Sequence, residues 1–185
     1  MLKQPIFILT GTPASGKSTV ARALLNRFSY GFHIPVDTLR NMVASGLSDP
    51  IGSWDEETAR QFGLARDGAA QLAQVYARAG FAVAIDDVIF PPDVAHHYDG
   101  ALAQFDVYKV MLRPKVKAAQ ARNAARQLDI DNALLEGIIR PIYEHFATFD
   151  LPRLAEKDWC ILDTIHDSVA ETVDRILSET NCFPK

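Results

Sequence analysis

The chain is expected to fold as an α/β unit, a parallel sheet with helices on both faces, and three observations point there. Five short apolar runs rich in β-branched and aromatic residues recur along it, and helical patterns lie between them. The runs do not alternate polar with apolar residues, as expected of strands covered on both sides. Strand, helix, strand repeated in this way is the pattern of a parallel sheet rather than of hairpins.

The first run, Ile6–Leu9, leads into a glycine-rich loop and then a helix carrying Val20, Leu24 and Phe28 at four-residue intervals. His33–Val36 is the second strand, and Thr38–Val43 after it reads as helix. Ala44–Asp55 gathers Gly46, Ser48, Asp49, Pro50, Gly52 and Ser53, which mark an exposed loop. A longer helix follows, with Phe62, Ala65, Ala69, Leu72, Tyr76 and Ala79 on one stripe. Phe81–Ile85 and Val107–Leu112 are the third and fourth strands, and Lys115–Asp150 is a long helical segment. Trp159–Leu162 is the fifth strand. In the last helix Val169, Val173, Ile176 and Leu177 face inward, and Ser168 and Glu171 are spaced as a capping box.

At 185 residues and 48% hydrophobic content the chain is expected to form one globular domain over 1–185. A formal charge of −4 argues against a surface built to neutralise nucleic-acid phosphates. Cys160 and Cys182 match no zinc or disulfide spacing, which suits a reducing compartment. No run approaches the roughly 20 apolar residues of a membrane span. A cytoplasmic protein is expected, as monomer or homodimer, with a small-molecule partner and no membrane.

The loop Gly11-Thr12-Pro13-Ala14-Ser15-Gly16-Lys17-Ser18 matches the Walker A spacing, after a strand and before a helix. Glycines let successive N–H groups turn inward toward phosphate oxygens, and the helix adds its positive end. Lys17 is expected to reach the β- and γ-phosphates of ATP, Ser18 to ligate Mg²⁺, and Thr19 to complete the nucleotide-binding set. The alternative is a turn that merely caps a helix.

Three carboxylates follow strands, where the carboxyl ends converge on a ligand crevice. Asp86, directly after an apolar run, is the candidate magnesium carboxylate, with Asp87 second and assigned to the substrate side. The alternative is that one of the pair caps a turn. Asp37 is the candidate base for an acceptor hydroxyl, and an N-cap is its alternative reading. Arg40, one turn on, would hold a polar or anionic part of the acceptor. Arg122 and Arg126, four apart, share one helix face that would close over ATP, with Arg113 a further candidate. The alternative is an ordinary solvated surface.

With this loop, Val36-Asp37, Ile85-Asp86-Asp87 and Arg122-x-x-x-Arg126 in order, the chain resembles P-loop kinases of the nucleoside-monophosphate-kinase-like group. Within that group it is most similar to the chloramphenicol phosphotransferase-like small kinases. The resemblance implies a three-layer P-loop NTPase fold with strand order 2-3-1-4-5, a helical lid at about 115–150, and ATP with Mg²⁺. It also implies the base role of Asp37 and an adenine contact at His166, in the loop after the fifth strand, the alternative for His166 being a residue with no ligand role. A fainter likeness to gluconate kinase around Asp37-Thr38-Leu39 departs from that pattern at Arg40. Trp54, Phe62, Tyr76 and His97 are either acceptor-pocket walls or core.

The expected activity is therefore transfer of the γ-phosphoryl group of ATP to a hydroxyl of a small molecule. Two alternatives stay open: a nucleotide or polynucleotide 5′-end kinase, and a nucleotide-binding regulator or toxin-like ATPase.

Overall fold

The computed structural model describes residues 4–50, 54–113 and 140–184. Its strands are β1 (Ile6–Gly11), β2 (Gly31–Pro35), β3 (Ala82–Asp86), β4 (Val107–Leu112) and β5 (Trp159–Leu162). All pair in parallel, in the order β2-β3-β1-β4-β5, which is the order implied by the resemblance.

The missing polar alternation has a direct cause. Every residue of β1 is buried, and successive side chains enter different cores. Ile6 and Ile8 join Ile34, Val83, Ile85 and Met111 in one cluster, beneath Ala65, Ala69 and Ala73 of helix α3 (Glu56–Arg78). Phe7 and Leu9 join the other cluster, with Val20 and Leu24 of α1 (Lys17–Leu25) and with Val173 and Ile176 of the C-terminal helix Val169–Glu179. Helices thus cover both faces, giving the expected three layers.

Two helices differ in detail from the sequence pattern. α1 ends at Leu25, and Phe28 packs on the core from the turn beyond it. In α3 the side facing the sheet is mostly alanine, which lets the helix approach closely. Phe62, Leu72 and Tyr76 flank that side half-buried, and Ala79 is the exposed C-cap. Asp55 caps the start of α3 by accepting from the Thr58 N–H at 2.7 Å. The C-terminal helix begins in the expected capping box, each of Ser168 and Glu171 bonding the other's backbone N–H.

In a parallel sheet the strands end together, so Gly11, Pro35, Asp86, Leu112 and Leu162 open on one edge. Helix α2 (Val36–Arg40) starts there without a loop. A cavity of about 510 Å³ among Phe28, Tyr30, Tyr108 and Phe183 borders the strand beginnings instead, away from that edge. Among the described residues no helix is long and apolar enough to cross a membrane.

Arg122 and Arg126 lie outside the described residues, as does the expected lid up to residue 139. Beyond it, helices cover Arg140–Ala147 and Leu151–Ala155.

Candidate active site

The phosphate loop is held by backbone geometry that its glycines permit. Gly11 has φ +146°, and a Cβ there would stand 2.3 Å from the Leu112 carbonyl oxygen of β4. Only glycine allows the first turn of the loop to pass so close to the neighbouring strand. Gly16, at φ +93°, is the N-cap of α1 and supplies no side chain to the helix's first N–H groups. No acidic residue occupies that first turn either, so the positive end of α1 is left to an incoming anion. The Thr12 and Ser15 hydroxyls are buried in the same loop with no hydrogen-bond partner among the described residues. Unsatisfied buried hydroxyls are costly, and phosphate oxygens would satisfy them.

Lys17 is buried, and its amine donates to the Gly11 and Thr12 carbonyls at 3.1 and 3.0 Å. Its charge also acts on Asp86 and Asp87. Asp86 ends β3 facing α1. Burial alone would raise its pKa, but the His33 imidazole, the Lys17 charge and the Ser18 hydroxyl together outweigh burial and hold the carboxyl below its ordinary value. An ionised carboxylate beside a serine hydroxyl is an oxygen donor set that suits magnesium, which keeps several waters and takes one or two protein ligands plus phosphate. Among the described residues no cluster of three or more His, Cys, Asp or Glu forms a cage that would favour a different metal.

Asp37 lies in the first turn of α2, one residue past its first position. The N-cap is Pro35, so the capping alternative for Asp37 does not hold. Its carboxylate is exposed and, among the described residues, makes no hydrogen bond or ion pair. It lies close enough to Asp87 for its charge to push the Asp87 carboxyl upward. Lys17, Ser18, Asp86, Asp87 and Asp37 therefore share one electrostatic neighbourhood at the carboxyl edge of the sheet.

Two candidates for acceptor contact also make contacts within the protein, while Asp87 Oδ1 and Arg40 Nε have no hydrogen-bond partner among the described residues. Asp87 is buried and ion-paired with Arg66 of α3, Nε to Oδ2 at 2.7 Å, while Arg66 Nη2 reaches the Val88 carbonyl at 3.4 Å. Burial pushes Asp87 up, Arg66 pulls it down, and Asp37 pushes it up again. Arg40 is also buried. Its guanidinium donates to the Ser48 carbonyl at 2.8 Å and lies 4.6 Å from the Phe62 ring centre, clamping the loop after α2 onto α3. Gln61 completes the clamp through Ser48 and the Gly46 carbonyl.

The remaining candidates divide. Trp54 is exposed and stacks on Phe62 at 5.2 Å between centres. Tyr76 stacks on Phe32 against the core, and His97 pairs with Asp67. Thr19 is exposed beside Ser18, and His166 is exposed in the loop after β5. The Arg113 backbone continues the ladder by donating to the Leu162 carbonyl at 2.8 Å.

Three contributors escaped the sequence reading. His33 pairs with Asp86 only because β2 and β3 align His33 with Ala84, a register that no local pattern announces. Arg66 had a signal, as a charge in line with the alanine stripe of α3, on which Ala69, Ala70 and Ala73 follow. Tyr143, whose hydroxyl donates to the Pro13 carbonyl at 3.3 Å, had none.

Arg66→Met would leave the Asp87 carboxylate buried without its counter-ion, at a cost of about 3–5 kcal/mol near neutral pH. Without Arg66 the folded-state pKa of Asp87 climbs further above its unfolded value. A raised acid destabilises the fold above the unfolded pKa and not below it, so the deficit should shrink as pH falls toward the ordinary carboxylate range. Urea unfolding of both proteins at pH 7 and pH 5 measures this. A deficit equal at both would assign the loss to packing alone.

The profile described as chloramphenicol phosphotransferase-like protein matches residues 4–137. No curated protein sequence matches the chain significantly. Among solved structures, a gluconokinase from Sinorhizobium meliloti 1021 superposes with TM-score 0.65 at 16% identity, covering 98% of this chain and 94% of its own. A sugar kinase from Janibacter sp. HTCC2649 gives 0.64 at 15%, with 99% and 97% covered. The Mycobacterium tuberculosis APS kinase, solved with AMPPNP and APS, gives 0.62 at 16%, with 98% and 99% covered. At such identities the likeness speaks to the fold, which is that of P-loop kinases.

Proposed function

Because the chain belongs to the chloramphenicol phosphotransferase-like family and has the P-loop kinase fold, we propose that it transfers the γ-phosphoryl group of ATP to a hydroxyl of a small molecule. The observation that carries this reading is the placement of Asp37. Its carboxylate, with no hydrogen bond or ion pair among the described residues, stands in the same electrostatic neighbourhood as Lys17 and Asp87, in the helix that follows β2, the strand next to the one that ends in Asp86. A nucleotide-binding regulator has no use for such a base.

In this reading the α1 N–H groups, the Thr12 and Ser15 hydroxyls and Lys17 hold the phosphate chain. Ser18 and Asp86 would hold magnesium, which when bound shields the charge of the phosphate oxygens. Asp37 orients the acceptor hydroxyl and takes its proton as the new O–P bond forms and the bond to the departing ADP breaks. Lys17 meets the charge that spreads over the transferring group. Arg40 and Gln61 shape the acceptor side by fixing the loop after α2, and Trp54 and Phe62 present an aromatic wall there.

The test is an ADP-release screen over sugar acids, nucleosides, aminoglycosides and phenicol-type compounds with ATP and Mg²⁺. We expect one acceptor class to raise ADP release at least tenfold above the acceptor-free rate. Equal ADP release with and without every acceptor would favour an ATPase, and the kinase assignment would fall.

A further inference from the structure

We propose that His33 is a positioning residue for the magnesium carboxylate: from the edge strand β2 it fixes Asp86 so that the carboxylate meets the cation beside Ser18. The inference rests on the kinase reading above and adds to it a residue outside the phosphate loop and the three acidic candidates.

The geometry begins with register. β2 and β3 run parallel with His33 opposite Ala84 and Pro35 opposite Asp86. This brings the imidazole Nε2 to 3.3 Å from Asp86 Oδ2, with only 13% and 6% of the two side chains exposed. A carboxylate oxygen accepts, so in this hydrogen bond Nε2 supplies the N–H. From the other side, α1 presents the Ser18 hydroxyl and the Lys17 charge to the same carboxylate. Asp86 is gripped between an edge strand and a helix start.

That grip matters because a carboxylate ligand free to rotate loses affinity for its metal. Neighbours that hydrogen-bond a ligating group set its orientation, and their loss typically weakens metal binding 10–100-fold. With Nε2 on Oδ2, the other Asp86 oxygen would be open to a cation such as magnesium, which takes oxygen ligands.

The experiment uses the full chain with adenylyl-imidodiphosphate bound, titrating Mn²⁺ in place of Mg²⁺ and reading free Mn²⁺ by electron paramagnetic resonance. Wild type, His33→Leu and His33→Gln are compared, the glutamine amide being able to place a donor near the position of Nε2. Nucleotide affinity in EDTA is measured for each. We expect His33→Leu to weaken Mn²⁺ binding 10–100-fold with metal-free nucleotide affinity unchanged, and His33→Gln to stay within about threefold of wild type. Mn²⁺ binding by His33→Leu within twofold of wild type would overturn the proposal. So would a parallel loss of metal-free nucleotide affinity, which marks a general disturbance of the site. If wild type itself fails to bind the Mn²⁺ nucleotide, the kinase reading falls together with this one. Normal binding by wild type with no effect of His33 removes His33 alone.

Discussion

Lys17→Ala is expected to cut phosphoryl transfer by at least 10²- to 10³-fold while the chain stays folded. The amine it removes is the buried cation at the phosphate loop, and a preorganised charge aimed at a transferring phosphoryl group contributes on that scale. The substitution also deletes the two bonds that tie the loop carbonyls of Gly11 and Thr12. Those bonds lie within the loop and leave both core clusters untouched, so thermal unfolding should shift only modestly. Single-turnover ADP release with saturating ATP and Mg²⁺ reads the effect. Full activity in the variant would remove the phosphate loop from the mechanism.

Asp37→Asn is expected to slow transfer on the order of 10²-fold and to keep ATP affinity within a few-fold. In the proposed reading α1, Lys17 and the loop hydroxyls hold the phosphates, and Asp37 makes no hydrogen bond to any of them, so binding and chemistry should separate. Because the cap of α2 is Pro35, no loss of stability from an N-cap accompanies the change. Measured kcat and ATP dissociation constants decide the point. A variant that binds Mg²⁺ and ATP poorly but transfers at a normal rate when saturated would move Asp37 into the metal shell and reopen the search for the base.

Much of the candidate site was legible because its residues are contiguous in sequence. The candidate phosphate loop is eight successive residues, and Asp86 ends a strand, Ala82–Asp86, that is buried throughout. The strands were legible too, since chains of β-branched residues have few alternatives. What escaped depends on contacts between distant elements. Whether Asp87 meets a ligand or an arginine is decided by the face that α3 turns to β3, and Arg66 could be matched to it only in three dimensions. Arg40, one turn past Asp37, looked like a ligand for the same reason that it is a clamp: its side chain is long enough to reach either the crevice or Ser48. His33 illustrates the same limit, because a one-residue slip of β2 against β3 would point its ring to the other face.

The central position of β1 has a further consequence, for synthesis on the ribosome. Of the five strands, the one that carries the phosphate loop emerges first, yet its two neighbours, β3 and β4, are made about 75 and 100 residues later. Gly11 lies against the Leu112 carbonyl, so the loop acquires its walls only when β4 docks. Pairings that span so much chain form slowly and late. A nascent chain should thus remain unable to retain ATP until residue 112 has cleared the exit tunnel, and nucleotide capture by arrested chains of increasing length would report the moment at which the sheet closes.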